Sequence, residues 1–253
     1  MNYDQVAPTY DRRFAYYAGP RQGVGAALLR LARDVRAERI LEVGCGTGHW
    51  LRILRSVAHR TYGVDLSLGM LMQARASTVS ALVRAHANGL PFRCGTFDFV
   101  FCVNALHHFD DAAGFVRDAR SLLRPGGVLS VIGMNPHAGR DRWYLYEYFP
   151  GTYEADLRRY PSSDVLTDWM IAAGFDGIRW QVAERLVDTR IGRDILDEPM
   201  LRKNATSQLT LLTDGEYEAG LARIRAAVAE SEARGEERAF PVDISLAMVT
   251  ARA

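Results

Sequence analysis

The segment Arg39-Ile40-Leu41-Glu42-Val43-Gly44-Cys45-Gly46-Thr47-Gly48, followed by Asp65 at the end of Tyr62-Gly63-Val64-Asp65, constrains the fold more than any other part of the chain. The first five residues are mostly aliphatic and read as a buried parallel strand. The glycines then let the backbone turn sharply toward whatever sits above the strand's carboxyl end. A second apolar strand ends at Asp65, about 20 residues further on, where a carboxylate can accept hydrogen bonds from both hydroxyls of a ribose. The pattern is that of a nucleotide-type cradle. The bland alternative is a glycine loop that serves only as a strand-to-helix turn.

The glycine spacing narrows the ligand. A dinucleotide fold wants G-x-G-x-x-G, but here the third glycine, Gly48, comes one position early, and His49 stands where that fingerprint requires glycine. A pyrophosphate would fit poorly, which disfavours a nicotinamide or flavin oxidoreductase.

From residue 39 to 134 strands and helices alternate. Expected strands cover Arg39–Val43, Arg60–Asp65, Val79–Ala85, Thr96–Val103 and Gly127–Met134, with helices over Thr47–Val57, Leu68–Ala76 and Asp111–Leu123. Such alternation builds a parallel sheet with helices on both faces, and right-handed crossovers bring the strand carboxyl ends to one edge, where ligands bind. After Asn135 the pattern breaks. Residues 135–161 carry Trp143, Tyr144, Tyr146, Tyr148, Phe149 and Tyr153 between proline and glycine breaks, and read as an insertion above the sheet edge. Those aromatics either line a pocket or pack the insertion down. A helix over Ser162–Ala173, a strand from Phe175 to about Leu186, a mainly helical stretch 190–235 with a start signal at Thr213-Asp214-Gly215-Glu216, and a last strand Phe240–Ala251 complete the chain.

Composition bounds the function. The chain has 253 residues, 48% hydrophobic and 24% charged, as in an ordinary globular protein. A formal net charge of +1 shows no basic surplus, so no nucleic-acid partner is expected. Cys45, Cys94 and Cys102 form neither a CxxC pair nor a metal-ligand cluster, so no metal is expected and a reducing, cytoplasmic location is. No stretch has the roughly 20 apolar residues that span a bilayer, so no membrane partner is expected either.

Several blocks together resemble the class I S-adenosylmethionine (SAM) dependent methyltransferases of the UbiE-like, type 11 kind. They are Tyr3-Asp4-x-x-Ala7-x-x-Tyr10-Asp11, Glu42-x-Gly44-x-Gly46-x-Gly48, Gly63-Val64-Asp65, Leu90-Pro91-Phe92, Phe97-Asp98-Phe99-Val100, Ala105-Leu106-His107-His108-Phe109 and Leu123-Arg124-Pro125-Gly126-Gly127. The resemblance implies a Rossmann-like α/β fold with a seven-stranded, mostly parallel sheet of order 3-2-1-4-5-7-6, its last strand antiparallel, helices on both faces and a small lid. It implies one methyltransferase domain over 1–253: an N-terminal helical cover 1–38, a SAM-binding core 39–134, and insertions 135–161 and 187–238 covering the substrate site. It also implies that the Gly44-Cys45-Gly46-Thr47-Gly48 backbone packs on the methionine part of SAM, with Glu42 organising the loop. Asp65 would hold the ribose, Leu66 the adenine, backbone near Asn104 the ammonium, and Tyr10 would close over the cofactor. Where the family usually has an acidic residue against the adenine amino group, before Ala87, this chain has His86; the Ala87 backbone can still read the base.

The expected reaction is methyl transfer from SAM to oxygen, carbon or nitrogen of a small molecule. A hydroxyl or carbon acceptor also needs a base, and His107, His108 and His137 lie just beyond the ends of strands four and five. Each is otherwise a structural or surface histidine. The competing readings are a SAM-binding protein with a non-methylating or regulatory role, an NAD-dependent oxidoreductase, and RNA methylation. Acceptor identity and oligomeric state stay open.

Overall fold

The computed structural model describes residues 3–11, 22–77 and 80–253. Strands β1 (Arg39–Val43), β2 (Arg60–Asp65), β3 (Ala81–Arg84), β4 (Phe97–Val103), β5 (Leu123–Met134), β6 (Arg142–Trp143), β7 (Asp176–Ile191) and β8 (Ala239–Arg252) form one eight-stranded sheet. β1 pairs in parallel with β2 and β4, β2 with β3, and β4 with β5, whereas β8 runs antiparallel to β5, β6 and β7. The seven longer strands reproduce the expected 3-2-1-4-5-7-6 order. Val79, the expected start of the third strand, and part of the expected N-terminal cover lie outside the described residues.

The eighth strand, β6, is a correction to the expected seven. β7 covers one edge of β8 from Ala239 to Arg252, while β5 covers only Leu246–Arg252 on the other. The remaining polar backbone there is met by Arg142 and Trp143 against Asp243 and Val242. β7 is also longer than expected, running on from Leu186 to Ile191, because Val187, Thr189 and Ile191 continue its pairing with β8. The first helix is shorter than expected, His49–Leu54, since Gly48 at its N-cap holds a φ of 76°.

All seven residues of β4 are buried, which marks it as the central strand. Its side chains alternate between the two cores. Phe99, Phe101 and Val103 pack with Val24, Leu28, Trp50 and Leu54 of helices Gln22–Asp34 and His49–Leu54. Val100 and Cys102 pack with Phe115, Val116 and Met170 of helices Ala112–Leu122 and Ser163–Ala172. Asp98, buried between them, accepts the Glu38 and Arg39 amides at 2.6 and 2.8 Å and pairs with Arg124 at 2.6 Å, tying the start of β1 to β4.

A third core joins the two insertions. Trp143, Tyr144, Leu145, Tyr148 and Phe149 pack with Ile195, Leu201, Leu209, Ile224, Val228, Phe240 and Ile244. Most of the aromatic run is therefore structural. Helix Asp214–Ala233 enters this core through a reciprocal Thr213–Glu216 cap. It comes so close that a Cβ on Gly220 would lie 2.1 Å from the Phe149 ring. Among the described residues no helix is long and apolar enough to cross a membrane.

Candidate functional site

At the carboxyl ends of β1 and β2 the chain turns without side chains in its way. Gly44, Gly46 and Gly48 have φ of 73°, 51° and 76°, values that side chains disfavour, and a Cβ on Gly44 would lie 2.5 Å from Ala105 Cβ. The Gly44 and Cys45 amides donate to Val64 O at 2.8 and 2.9 Å, so the loop is anchored to the end of β2. The Asp65 carboxylate accepts the Gly46 amide on Oδ2 at 2.8 Å and the Ser67 amide on Oδ1 at 2.9 Å. Burial pushes the Asp65 carboxyl above its usual range, while the amides of Ser67, Gly46 and Leu66 pull it down.

These elements wall a cavity of about 240 Å³. Of the residues expected to hold SAM, Tyr10, Gly44, Gly46, Asp65, Leu66, Ala87 and Asn104 line it. Leu66 stands 52% exposed at its rim, an apolar surface available to a flat ring. Asn104 has a φ of 50° and donates its amide to Ile132 O at 2.8 Å, a left-handed residue held at the end of the central strand.

Glu42, Cys45 and Gly48 are not among the residues that line the cavity. Glu42 is 1% exposed, and its Oε2 has no hydrogen-bond partner. Burial first, then the Asp65 carboxylate, raise its pKa well above the ordinary value, and the Leu51 amide opposes them. The Cys45 side chain packs with Leu51, Leu71 and Leu82. Gly48 is the helix N-cap.

The N-terminal segment closes one side. Asp4 accepts Ser67 Oγ at 2.6 Å and the Gly69 amide at 2.8 Å, and both contacts lower its pKa. Thr47 Oγ1 donates to Asp11 at 2.5 Å, and Val6 and Ala7 pack on Met70. Tyr3 is thereby placed over the cavity, its hydroxyl 2.6 Å from His108 Nε2. Tyr3, Met70, Asn88, Phe109 and Asp110 line the cavity and were not expected to. Tyr3 and Phe109 carried a signal, as parts of the Tyr3-Asp4 and Ala105-Leu106-His107-His108-Phe109 blocks.

A second cavity of about 120 Å³ shares Tyr3, Tyr10, Asn104 and His108 with the first. His107, Tyr160, Thr206, Ser207 and Gln208 give it a polar side, and Met134, Trp143, Leu186, Met200, Ile244 and Leu246 an apolar one. His108 thus faces both cavities. His107 lines the second, stacked on Tyr160 with centroids 4.1 Å apart, and burial holds its pKa well below the usual histidine range, helped by His108 and Arg159. His137 lines neither cavity; its Nε2 donates to Tyr160 O at 2.9 Å.

The donor set fits SAM on the structure's own terms. A cation with an ammonium group suits a site with Asp65 and Asp110 on its wall and the orphaned Glu42 oxygen near Asp65. Leu66, Met70, Ala85, Ala87 and Phe109 supply apolar surface for adenine.

Fold and site together define a Rossmann-like nucleoside-binding protein. Residues 41–131 match the type 11 family model, described as a methyltransferase domain. A tRNA U34 carboxymethyltransferase from Idiomarina loihiensis is 32% identical over 57% of this chain and 47% of its own length. A malonyl-[acyl-carrier protein] O-methyltransferase from Hahella chejuensis is 34% identical over 51% of this chain and 46% of its own. The chain thus spans about half the length of these curated relatives. A crystal structure of a putative methyltransferase from an antibiotic biosynthesis pathway of Anabaena variabilis superposes with a TM-score of 0.66 over 93% of this chain and 99% of that one, at 18% identity, a likeness of fold.

Proposed function

We propose that this protein transfers the methyl group of SAM to a small-molecule acceptor seated in the second cavity. The observation that carries this reading is the pair of cavities sharing the Tyr3, Tyr10, Asn104 and His108 wall. Bound SAM supplies a methyl group already activated by its sulfonium. The protein's part is to hold donor and acceptor in line and to keep water out.

The loop backbone at Gly44 and Gly46, Asp65, Leu66, Ala87 and Asn104 hold the cofactor in this reading, with Glu42, Cys45 and Gly48 shaping the loop. Tyr10 closes over it. His108, facing both cavities with Tyr3 on its Nε2, is the candidate base for a hydroxyl or acidic carbon. His137 holds the Tyr160 backbone and takes no part in this reading beyond that. A net charge of +1 favours a small molecule over tRNA as acceptor, and three free cysteines suit a cytoplasmic setting.

Calorimetric titration with S-adenosylhomocysteine and with NAD tests the cofactor, and a tritium-methyl transfer screen over neutral metabolites and bulk tRNA tests the acceptor. Affinity for S-adenosylhomocysteine and label in a small molecule support the reading. NAD binding alone, or label in tRNA alone, overturns it.

A further inference from the structure

Among the described residues Asn104 alone lines three neighbouring cavities: the cofactor chamber, the second cavity, and a narrow third pocket of about 30 Å³ that shares His107, Met134 and Tyr160 with the second. Its amide is spent, donating to Ile132 O at 2.8 Å, and its φ of 50° lies in the left-handed region that asparagine tolerates better than most residues. Its side chain is not spent. The half-buried Asn104 carboxamide makes no hydrogen bond among the described residues. It points to the acceptor side: a Cβ on Gly133 would lie 3.6 Å from Asn104 Oδ1 and 3.9 Å from Tyr160 Cε1, and Tyr160 lines the second and third cavities but not the first.

A carboxamide offers a carbonyl oxygen and two N–H protons to whatever enters. A wholly apolar ligand would strand these groups, whereas a hydroxyl, which both donates and accepts, can meet either end. Among the described residues no Asp, Glu, Lys or Arg lines the second or third cavity, so an ionised acceptor would enter without a counter-charge. Resting on the reading of the second cavity as the acceptor chamber, we propose that the Asn104 side chain is the specificity-determining residue of that chamber and selects an uncharged acceptor bearing a hydroxyl on an apolar body. The apolar body lies against Trp143, Met134 and Leu246. The Asn104 backbone then serves the cofactor and its side chain the acceptor, so one residue registers each against the other.

The side chain can be read without the natural acceptor, with phenol as the probe and toluene as its counterpart of the same shape without the hydroxyl. In proton–nitrogen correlation spectra of the full chain the Asn104 carboxamide gives a pair of signals on one nitrogen, assigned by its loss in Asn104→Asp and in Asn104→Gly. Phenol is expected to shift that pair and to bind about tenfold more tightly than toluene, the worth of one hydrogen bond. Asn104→Gly, which accepts the left-handed backbone, is expected to bind the two within about twofold of each other. Benzoate and benzylammonium are expected to bind more weakly than phenol. The proposal is overturned by a wild type that binds toluene as well as phenol, or neither, by a preference for phenol that survives in Asn104→Gly, or by a tighter grip on either charged probe. Where Asn104→Gly does not fold, the wild-type carboxamide decides: signals that move with phenol and not with toluene support the proposal, and signals that move with both or neither overturn it. Each titration is run with and without S-adenosylhomocysteine, whose own affinity reports on the cofactor reading separately, so the two fail independently.

Discussion

In the chamber over β1 and β2 the framework contacts are made by main-chain groups of a short run, with Gly46 and Ser67 amides on Asp65 and Gly44 and Cys45 amides on Val64; the neighbouring chamber is lined by side chains from several distant segments. The first design depends on glycines and one carboxylate, and serves any acceptor chemistry. The second depends on which side chains the insertions bring, and in the proposed reading it is where specificity is set. Methyl transfer needs both, because an activated donor is only as selective as the chamber that positions its acceptor.

Four perturbations test this division. The largest effect is expected at Asp156. Asp156→Ala leaves the half-buried Arg159 without its ion-pair partner and strands Tyr146 and Gln208, at a cost of about 3–5 kcal/mol in urea unfolding. S-adenosylhomocysteine affinity of the folded fraction should hold; a loss of cofactor binding with no loss of stability would erase the distinction between the chambers. Asp65→Ala acts on the other side. It should weaken S-adenosylhomocysteine binding by ~2–4 kcal/mol, roughly 30- to 1000-fold, by calorimetry.

Gly220→Ala pushes a methyl group into the buried Phe149 ring and should cost ~1–3 kcal/mol of thermal stability. That loss should appear with little change at the glycine loop, and an unchanged melting temperature would mean that the third core is loosely packed. The smallest effect is in pH. His107 has a depressed folded pKa, so its contribution to stability is fully present above the unfolded histidine value of about 6.5 and is lost as pH falls toward the folded value. Across that window wild type should lose up to about 1.4 kcal/mol per pH unit that His107→Asn does not. Parallel curves would mean that His107 titrates normally.

The same division decides what could be read from the residues. The cofactor chamber was legible because glycine spacing, a strand ending in Asp65 and the Tyr3-Asp4 block are local and directional, and their physical meaning survives without knowledge of the fold. The long-strand order followed from alternation. β6 was not legible, since two residues satisfying an edge left open by unequal strand lengths leave no periodic trace. Nor was the network on Asp156: Tyr146, Asp156, Tyr160 and Gln208 are ordinary residues of two separate insertions until these fold against each other. The aromatics illustrate the limit. Composition left pocket and core equally open, and burial divides them, with Tyr144, Tyr148 and Phe149 in the core and Trp143 on the cavity wall as well.

The central claim is that cofactor and acceptor are held by separable sets of residues. It is tested most directly by titrating S-adenosylhomocysteine into wild type, Asp65→Ala and Tyr160→Phe under one set of conditions. The account predicts a loss of roughly 30- to 1000-fold for Asp65→Ala and a change of less than about twofold for Tyr160→Phe. Equal losses in both variants, or an undiminished affinity in Asp65→Ala, would contradict it.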